Sequence, residues 1–183
     1  MSYYKALGLN KEPFSTSPDP QFFYHSTSHI TALERAEIAI RLRRGLCLIF
    51  GDVGTGKTTL SRTLLQAFKD ENDFIFHMIL DPSYKSEFQF LWSLVKMFDI
   101  SVPFKSCMDF REALEKYLFQ KGVEENKTII LLIDEGQKIS FENLEVLRTL
   151  LNYETNEYKL LQLVIMAQVE LLPRIKRIRN FVD

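Results

Sequence analysis

The chain has 183 residues, enough for one domain with a real core, and its 46% hydrophobic and 13% aromatic content argues against a disordered polymer. Twenty-three basic residues oppose twenty-four acidic ones, a formal net charge of −1, so the overall balance demands neither nucleic acid nor an anionic membrane. Cys47 and Cys107 form no disulfide framework and no metal-ligand spacing, the N-terminus has no signal-peptide pattern, and no uncharged run approaches the roughly 18 residues of a membrane span. The sequence reads as cytoplasmic.

Before Ser28, Pro13, Pro18 and Pro20 alternate with Phe14, Phe22, Phe23 and Tyr24, which predicts an extended arm that packs its rings on a domain. From Thr27 or Ser28, apolar residues at Ile30, Leu33, Ala36 and Ile40 predict a helix to about Arg44, closed by Gly45. The run "LCLIF" that follows is wholly apolar and bounded by glycines, as for a strand buried on both faces of a parallel sheet.

Further along, "KTTLSRTLLQAFK" places Leu60, Leu64, Leu65 and Phe68 at helical spacing, and "FIFHMIL" reads as a second strand. Two helices are predicted through "EFQFLWSLVKMF" and "SCMDFREALEKYLFQK", the second capped by Ser106 or Asp109. The strongest strand signal is "TIILLID" at 128–134. A helix through Leu144, Leu147, Leu150 and Leu151, the strand "LLQLVIMA" at 160–167 and a short basic helix complete the chain. Four strands alternating with helices predict an α/β layered fold, with ligands at the carboxyl ends of the strands.

Between the first strand and its helix lies "GDVGTGKTTL", which fits G-x-x-x-x-G-K-[ST] as Gly51, Gly56, Lys57 and Thr58, the P-loop or Walker A pattern in its confirming context. Glycines let the backbone wrap a phosphate chain, successive N–H groups form an anion nest, and a helix N-terminus faces the same anion. Gly51, Asp52, Val53, Gly54, Thr55, Gly56, Lys57, Thr58 and Thr59 are thus the expected nucleotide-binding residues, with Lys57 on the β- and γ-phosphates and Thr58 offering its hydroxyl to Mg²⁺. Asp134 and Glu135 end the most apolar strand, as in a Walker B pair. Asp134 suits the hold on Mg²⁺, and Glu135 suits polarisation of an attacking water. A glutamate directly after the metal acid, with no guanine-reading N-K-x-D stretch, favours ATP over GTP.

The P-loop, "IILLIDEGQ", "LRTLLNYET" and "LLQLVIMAQVEL", together with "PFSTSPDPQFFY" before "HITALERAEIAI", resemble the AAA+ ATPase domain of the ExeA/general secretion pathway A group, itself similar to ATP-dependent helpers of transposition. The resemblance covers essentially the whole chain. It implies a three-layer P-loop NTPase sandwich with a mainly parallel sheet, Mg²⁺-dependent ATP hydrolysis to ADP, self-association, and a site completed by a neighbouring subunit. Its physiological setting would be assembly of a secretion or envelope complex, peripheral to the inner membrane in a longer protein. The alternative is a nucleotide-gated helper that binds DNA or a transposase-like partner.

The resemblance also implies that Gln168, at the end of the fourth strand, senses the γ-phosphate, although "AQVEL" stands where the family has "GQPEL". Asp81 precedes Pro82 where the family often has Asn. A carboxylate there cannot donate a hydrogen bond to Glu135 unless protonated, so a switch that parks the glutamate would work differently. Arg174, Lys176, Arg177 and Arg179 in the tail suit a finger on the next subunit, DNA-phosphate contacts, or a solvated helix face. Phe23, Tyr24 or His25 in the arm would either stack near adenine or pack on the core. His25, His29 and His77 show no metal spacing. The expected organisation is an arm over 1–27 and an ATPase core over 28–183, truncated before the family's fifth strand and helical lid.

Overall fold

The structure, a computed structural model, describes residues 3–10, 12, 24, 26–101, 103, 106–178 and 181. The prolines and phenylalanines of the predicted arm (Pro13, Phe14, Pro18, Pro20, Phe22 and Phe23), His25 and Arg179 lie outside the described residues. Within the arm, Tyr3–Ala6 form a one-turn helix, α1, with no buried residue, instead of extended chain, and Tyr24 is 82% exposed.

Helix α2 spans Thr27–Arg41. Its N-cap is Ser26, ahead of the predicted Thr27 or Ser28, because the Ser26 hydroxyl accepts the His29 N–H. The helix stops short of the predicted Arg44 because Arg43 takes a left-handed φ of 49°. Strand β1 (Leu46–Phe50) leads into the glycine loop, α3 (Lys57–Phe68) and β2 (Phe74–Ile79). Helices α4 (Glu87–Met97) and α5 (Cys107–Phe119) follow. A capping box opens α5, with Ser106 and Asp109 each serving the other's backbone N–H, so both predicted caps take part. The last predicted turn of α5 widens into a π-helix at Gln120–Glu124, which sets buried Gly122 against the Leu160 side chain.

Strand β3 (Thr128–Ile133), a 3₁₀ turn at Gly136–Lys138, α6 (Phe141–Leu151) and β4 (Leu161–Ala167) come next. Beyond β4 the predicted basic helix is a 3₁₀ turn at Val169–Leu171 and a single turn, α7, at Leu172–Ile175.

The four strands form one parallel sheet in the order β1-β4-β3-β2. Its alternating side chains divide the core into two layers. Ile129, Leu131, Ile133, Leu161, Leu163 and Ile165 meet Phe90, Leu94, Phe110, Leu114 and Leu147 of α4, α5 and α6 on one face. Ile130, Leu132, Val164 and Met166 meet Ala36, Ile40, Leu60, Leu64 and Phe68 of α2 and α3 on the other. Each such fully buried aliphatic stabilises the fold by about 1.5–3 kcal/mol relative to exposure, which is why the two central strands are apolar at nearly every position. β1 is only half-buried along its length, against the expectation of burial on both faces, because β4 is its only strand neighbour among the described residues.

This order decides where the site forms. β1 and β2 lie at opposite edges, and β3 and β4 fill the space between them, so Gly51, Asp134 and Gln168 emerge at the same sheet edge from adjacent strands. The Gly51 N–H donates to the Ala167 carbonyl at 3.1 Å, and the Asp134 N–H donates to the Ile79 carbonyl at 2.8 Å, which extends the ladder to the rim of the site.

Candidate functional site

The loop from Gly51 to Gly56 is folded by its own backbone. Gly54 and Gly56 take φ values of 79° and 83°, a left-handed region open to glycine at little cost, and the chain reverses onto the start of α3. The Thr55 hydroxyl donates to the Asp52 carbonyl at 2.8 Å. Lys57 Nζ donates to the carbonyls of Gly51 at 2.8 Å and Asp52 at 2.7 Å, which holds the ammonium under the loop. Val53 stands out into solvent, and the Thr59 carbonyl accepts the Thr63 hydroxyl at 2.9 Å within α3.

His29 ties this loop to α2. Its Nε2 lies 2.8 Å from the Thr55 carbonyl, an acceptor only, so Nε2 carries the proton; Nδ1 lies 2.7 Å from the Ser26 hydroxyl. A hollow of about 220 Å³ between α2 and the loop is bounded by Ser28, His29, Ala32, Gly51, Thr55 and Lys57. A cleft of about 620 Å³ lies elsewhere, between α5 and the segment after α4, with Phe98, Ile100, Lys116 and Tyr117 in its walls. It shares no residue with the loop, whose Gly51, Thr55 and Lys57 border the smaller hollow.

The acidic half starts at the tip of β3. Asp134, 2% exposed, accepts the Thr58 hydroxyl at 2.7 Å through Oδ2 and the Glu135 N–H at 2.9 Å through Oδ1. A buried carboxylate and a hydroxyl in direct contact are hard oxygen donors, and among the described residues no group of three or more His, Cys, Asp or Glu side chains could hold a metal ion. That donor set fits Mg²⁺, which binds through one or two protein oxygens and takes its remaining ligands from water and substrate phosphates.

Glu135 has a left-handed φ of 53°, unusual for a residue with a side chain and sustained only where its surroundings over-determine it. Those surroundings are specific. Gln137 Nε2 donates to Glu135 Oε2 at 2.8 Å, while the Gln168 N–H donates to Gln137 Oε1 at 3.1 Å. Lys138 Nζ lies 3.9 Å from the same Glu135 oxygen and 3.4 Å from Asp81 Oδ2. The Ser83 hydroxyl, and after it Lys138, hold the Asp81 carboxyl below its ordinary pKa. Asp81 is therefore an anion facing Glu135 through a shared lysine.

The structure thus brings together Gly51, Lys57, Thr58, Asp134 and Glu135 as predicted, and places Gln168 beside them through its backbone. Arg174 is engaged within its own chain: its guanidinium donates to the carbonyls of Gln137 and Ile139, each at 3.1 Å. Lys176 and Arg177, like Arg174, are exposed. Gln137, Lys138 and His29 are the site residues that the sequence reading did not assign. A Gln two places after Glu135, inside "IDEGQ", was the available signal for the first.

Among the described residues no helix is long and apolar enough to cross a membrane. A family model described as AAA domain matches residues 40–175. The chain is 36% identical over 169 residues to general secretion pathway protein A of Aeromonas hydrophila, covering 92% of this chain but 30% of that protein. Among solved structures it is similar to Cdc6p from Pyrobaculum aerophilum, with a TM-score of 0.68, 19% identity, and coverage of 86% of this chain and 43% of that one. It also resembles Aeropyrum pernix ORC2 in its ADP form, with a TM-score of 0.60, 21% identity, and coverage of 80% and 43% respectively. At these identities the solved structures bear on the fold, a P-loop NTPase of the AAA+ type, while the family match and the curated relative bear on the chemistry. The chain belongs to the AAA domain family of nucleotide-binding ATPases.

Proposed function

We propose that this chain binds ATP at the Gly51–Thr59 loop and hydrolyses it to ADP and phosphate with Mg²⁺. The observation that carries the reading is the 2.7 Å bond from Thr58 to Asp134, which joins the phosphate loop to the strand tip that bears Glu135. Backbone N–H groups of the loop and the start of α3 bind the phosphate chain, and Lys57 sets its charge against the β- and γ-phosphates. Thr58 and Asp134 would hold Mg²⁺, which when bound would neutralise phosphate charge. Glu135 orients a water and accepts its proton as the new oxygen–phosphorus bond forms in line with the breaking bond to the β-phosphate oxygen. Gln168 senses the γ-phosphate.

By its likeness to general secretion pathway protein A, of which it spans about 30%, the chain acts in assembly of a secretion or envelope complex. It works from the cytoplasm, as a core over 28–183 behind an arm over 1–27, with its site completed by a second copy. The exposed Lys176 and Arg177 favour a second reading, a nucleotide-gated DNA-binding helper; DNA retention that falls steeply with salt would support it.

The test is the ATP hydrolysis rate per subunit as protein concentration rises, beside Lys57→Ala and Glu135→Gln. A rate that climbs with concentration and vanishes in both variants supports hydrolysis at a shared site. A flat, near-zero rate with nucleotide bound overturns the hydrolytic reading and leaves a binding core.

A further inference from the structure

We propose that Gln137 is the positioning residue that aims Glu135, and that through it the carboxylate is mechanically coupled to the exit of β4. The inference rests on reading Glu135 as the residue that orients the attacking water.

A glutamate has three side-chain torsions, so a carboxylate at a strand tip needs anchors before it can present one oxygen to a water. Gln137 supplies an anchor with two ends. Its Nε2 donates to Glu135 Oε2 at 2.8 Å, which commits that oxygen and leaves Oε1 for other partners. Its Oε1 accepts the Gln168 N–H at 3.1 Å, so the amide is itself fixed by the first residue after β4. The Gln137 backbone is fixed as well, because its carbonyl accepts from Arg174 at 3.1 Å.

The residue between the two partners reinforces this frame. Gly136 is buried against Ile165 and Ala167 of β4, so the turn that carries Glu135 and Gln137 lies directly on the strand whose exit Gln137 reads. Lys138 adds a weaker pull on the same Glu135 oxygen from the Asp81 side, at 3.9 Å. The two sources of direction differ in kind. The amide bond is short and directional, whereas the half-exposed ammonium is a screened charge.

Only a side chain with a donor and an acceptor on one short planar group, at this length, can serve both partners. Leucine serves neither. Glutamate would accept from Gln168 but has no proton for Glu135 and would repel it. Asparagine keeps the chemistry but is one methylene too short to bridge the same span. A shift of the β4 exit moves the Gln168 N–H, then the Gln137 amide, then Glu135, and this is how a ligand near Gln168 would be felt by the hydrolytic residue.

The experiment measures kcat and KM for ATP with Mg²⁺, nucleotide Kd and thermal midpoint for the full chain carrying Gln137→Leu, Gln137→Glu and Gln137→Asn. The same Leu change is also made in a Glu135→Gln background. Expected is a fall in kcat of roughly 10- to 100-fold for Leu and at least as much for Glu, the range typical of residues that orient a reacting group through a hydrogen bond. Nucleotide Kd stays within about twofold, and in the Glu135→Gln background the Leu change leaves Kd and any residual rate where Glu135→Gln alone puts them, because Gln137 acts only through Glu135. A wild-type kcat in Gln137→Leu, while Glu135→Gln is inactive, overturns the inference. So does a loss of nucleotide affinity or thermal midpoint that parallels the loss of rate, which marks a merely structural role. A Glu135→Gln variant that turns over like wild type, or a wild-type chain with no turnover at any concentration, overturns the reading of Glu135 instead.

Discussion

The phosphate loop and the strand-tip acids face the same space but are held in opposite ways. Between Gly51 and Thr58 the turn itself is made locally: Thr55 and Lys57 bond carbonyls three to six residues away, and two left-handed glycines make the reversal, while His29, Ala167 and Asp134 only tie its ends and rim to the rest of the fold. Glu135 is restrained by a side chain two residues on, itself held by the backbone N–H of the first residue after β4, and by a cation shared with Asp81 after β2. The turn of the first region needs only a strand meeting a helix, while the anchoring of the second exists only if the sheet order and register are right. On the proposed reading, a contiguous loop binds and a tertiary assembly decides whether binding becomes turnover.

The strongest way to separate the two halves is Lys57→Ala. Removing one partner of a hydrogen-bonded charge pair costs about 2 kcal/mol or more, so nucleotide affinity should fall by at least roughly 30-fold, read by isothermal titration. Glu135→Gln should leave affinity near wild type and remove turnover. If both variants lost affinity equally, the division between a binding half and a hydrolysing half would collapse.

Acid should reach the scaffold of the second half first. His77 in β2 packs on Phe98 with ring centroids 4.5 Å apart, its Nε2 has no hydrogen-bond partner among the described residues, and burial depresses its pKa to about 4 from 6.5. The unfolded chain takes up this proton near pH 6.5 and the folded chain only near 4, so stability is intact above about 6.5 and is lost as pH falls toward about 4. The shift is worth on the order of 3 kcal/mol at its limit. Urea unfolding at pH 7 and pH 4.5 should show that loss, and His77→Phe should remove most of the difference. An undiminished difference in the variant would place the acid sensitivity on other groups.

What the sequence disclosed follows the same division. "LCLIF", "FIFHMIL", "TIILLID" and "LLQLVIMA" were legible as strands because a parallel sheet covered on both faces demands unbroken apolar runs. The P-loop was legible because the residues that make its turn are contiguous. The half-burial of β1 was not, since it depends on which strand lies beside it, and neither was the duty of Gln137, which appears only when β4 is set in register with β3. Asp81 was flagged as a carboxylate unable to donate to Glu135; the lysine that reconciles the two anions lies 57 residues further on and had no local signature.

Two glycines, one in each half, sharpen the contrast further. At Gly136 an added Cβ would overlap the Ile165 side chain and meet Ala167 Cβ and the Met166 carbonyl oxygen at 3.2 Å, so β4 or the turn must move. Gly136→Ala should cost about 2 kcal/mol of stability, roughly 4–8 °C in thermal midpoint for a chain of this size, and should depress turnover more than affinity because Glu135 and Gln137 flank it.

The smallest effect is expected at Gly54, where an added Cβ meets nothing within 4 Å and only the φ of 79° resists a side chain. Holding alanine in the left-handed region costs roughly 1 kcal/mol, so Gly54→Ala should lower the thermal midpoint by about 2–4 °C. Because that strain is confined to the loop, the ratio of turnover to binding should stay near wild type even if affinity falls a few-fold. Measuring kcat and Kd for the two alanine variants side by side therefore tests the comparison itself. A Gly54→Ala chain that binds normally but fails to hydrolyse would show that the loop also positions the reacting water, and that the two halves are not separate in function.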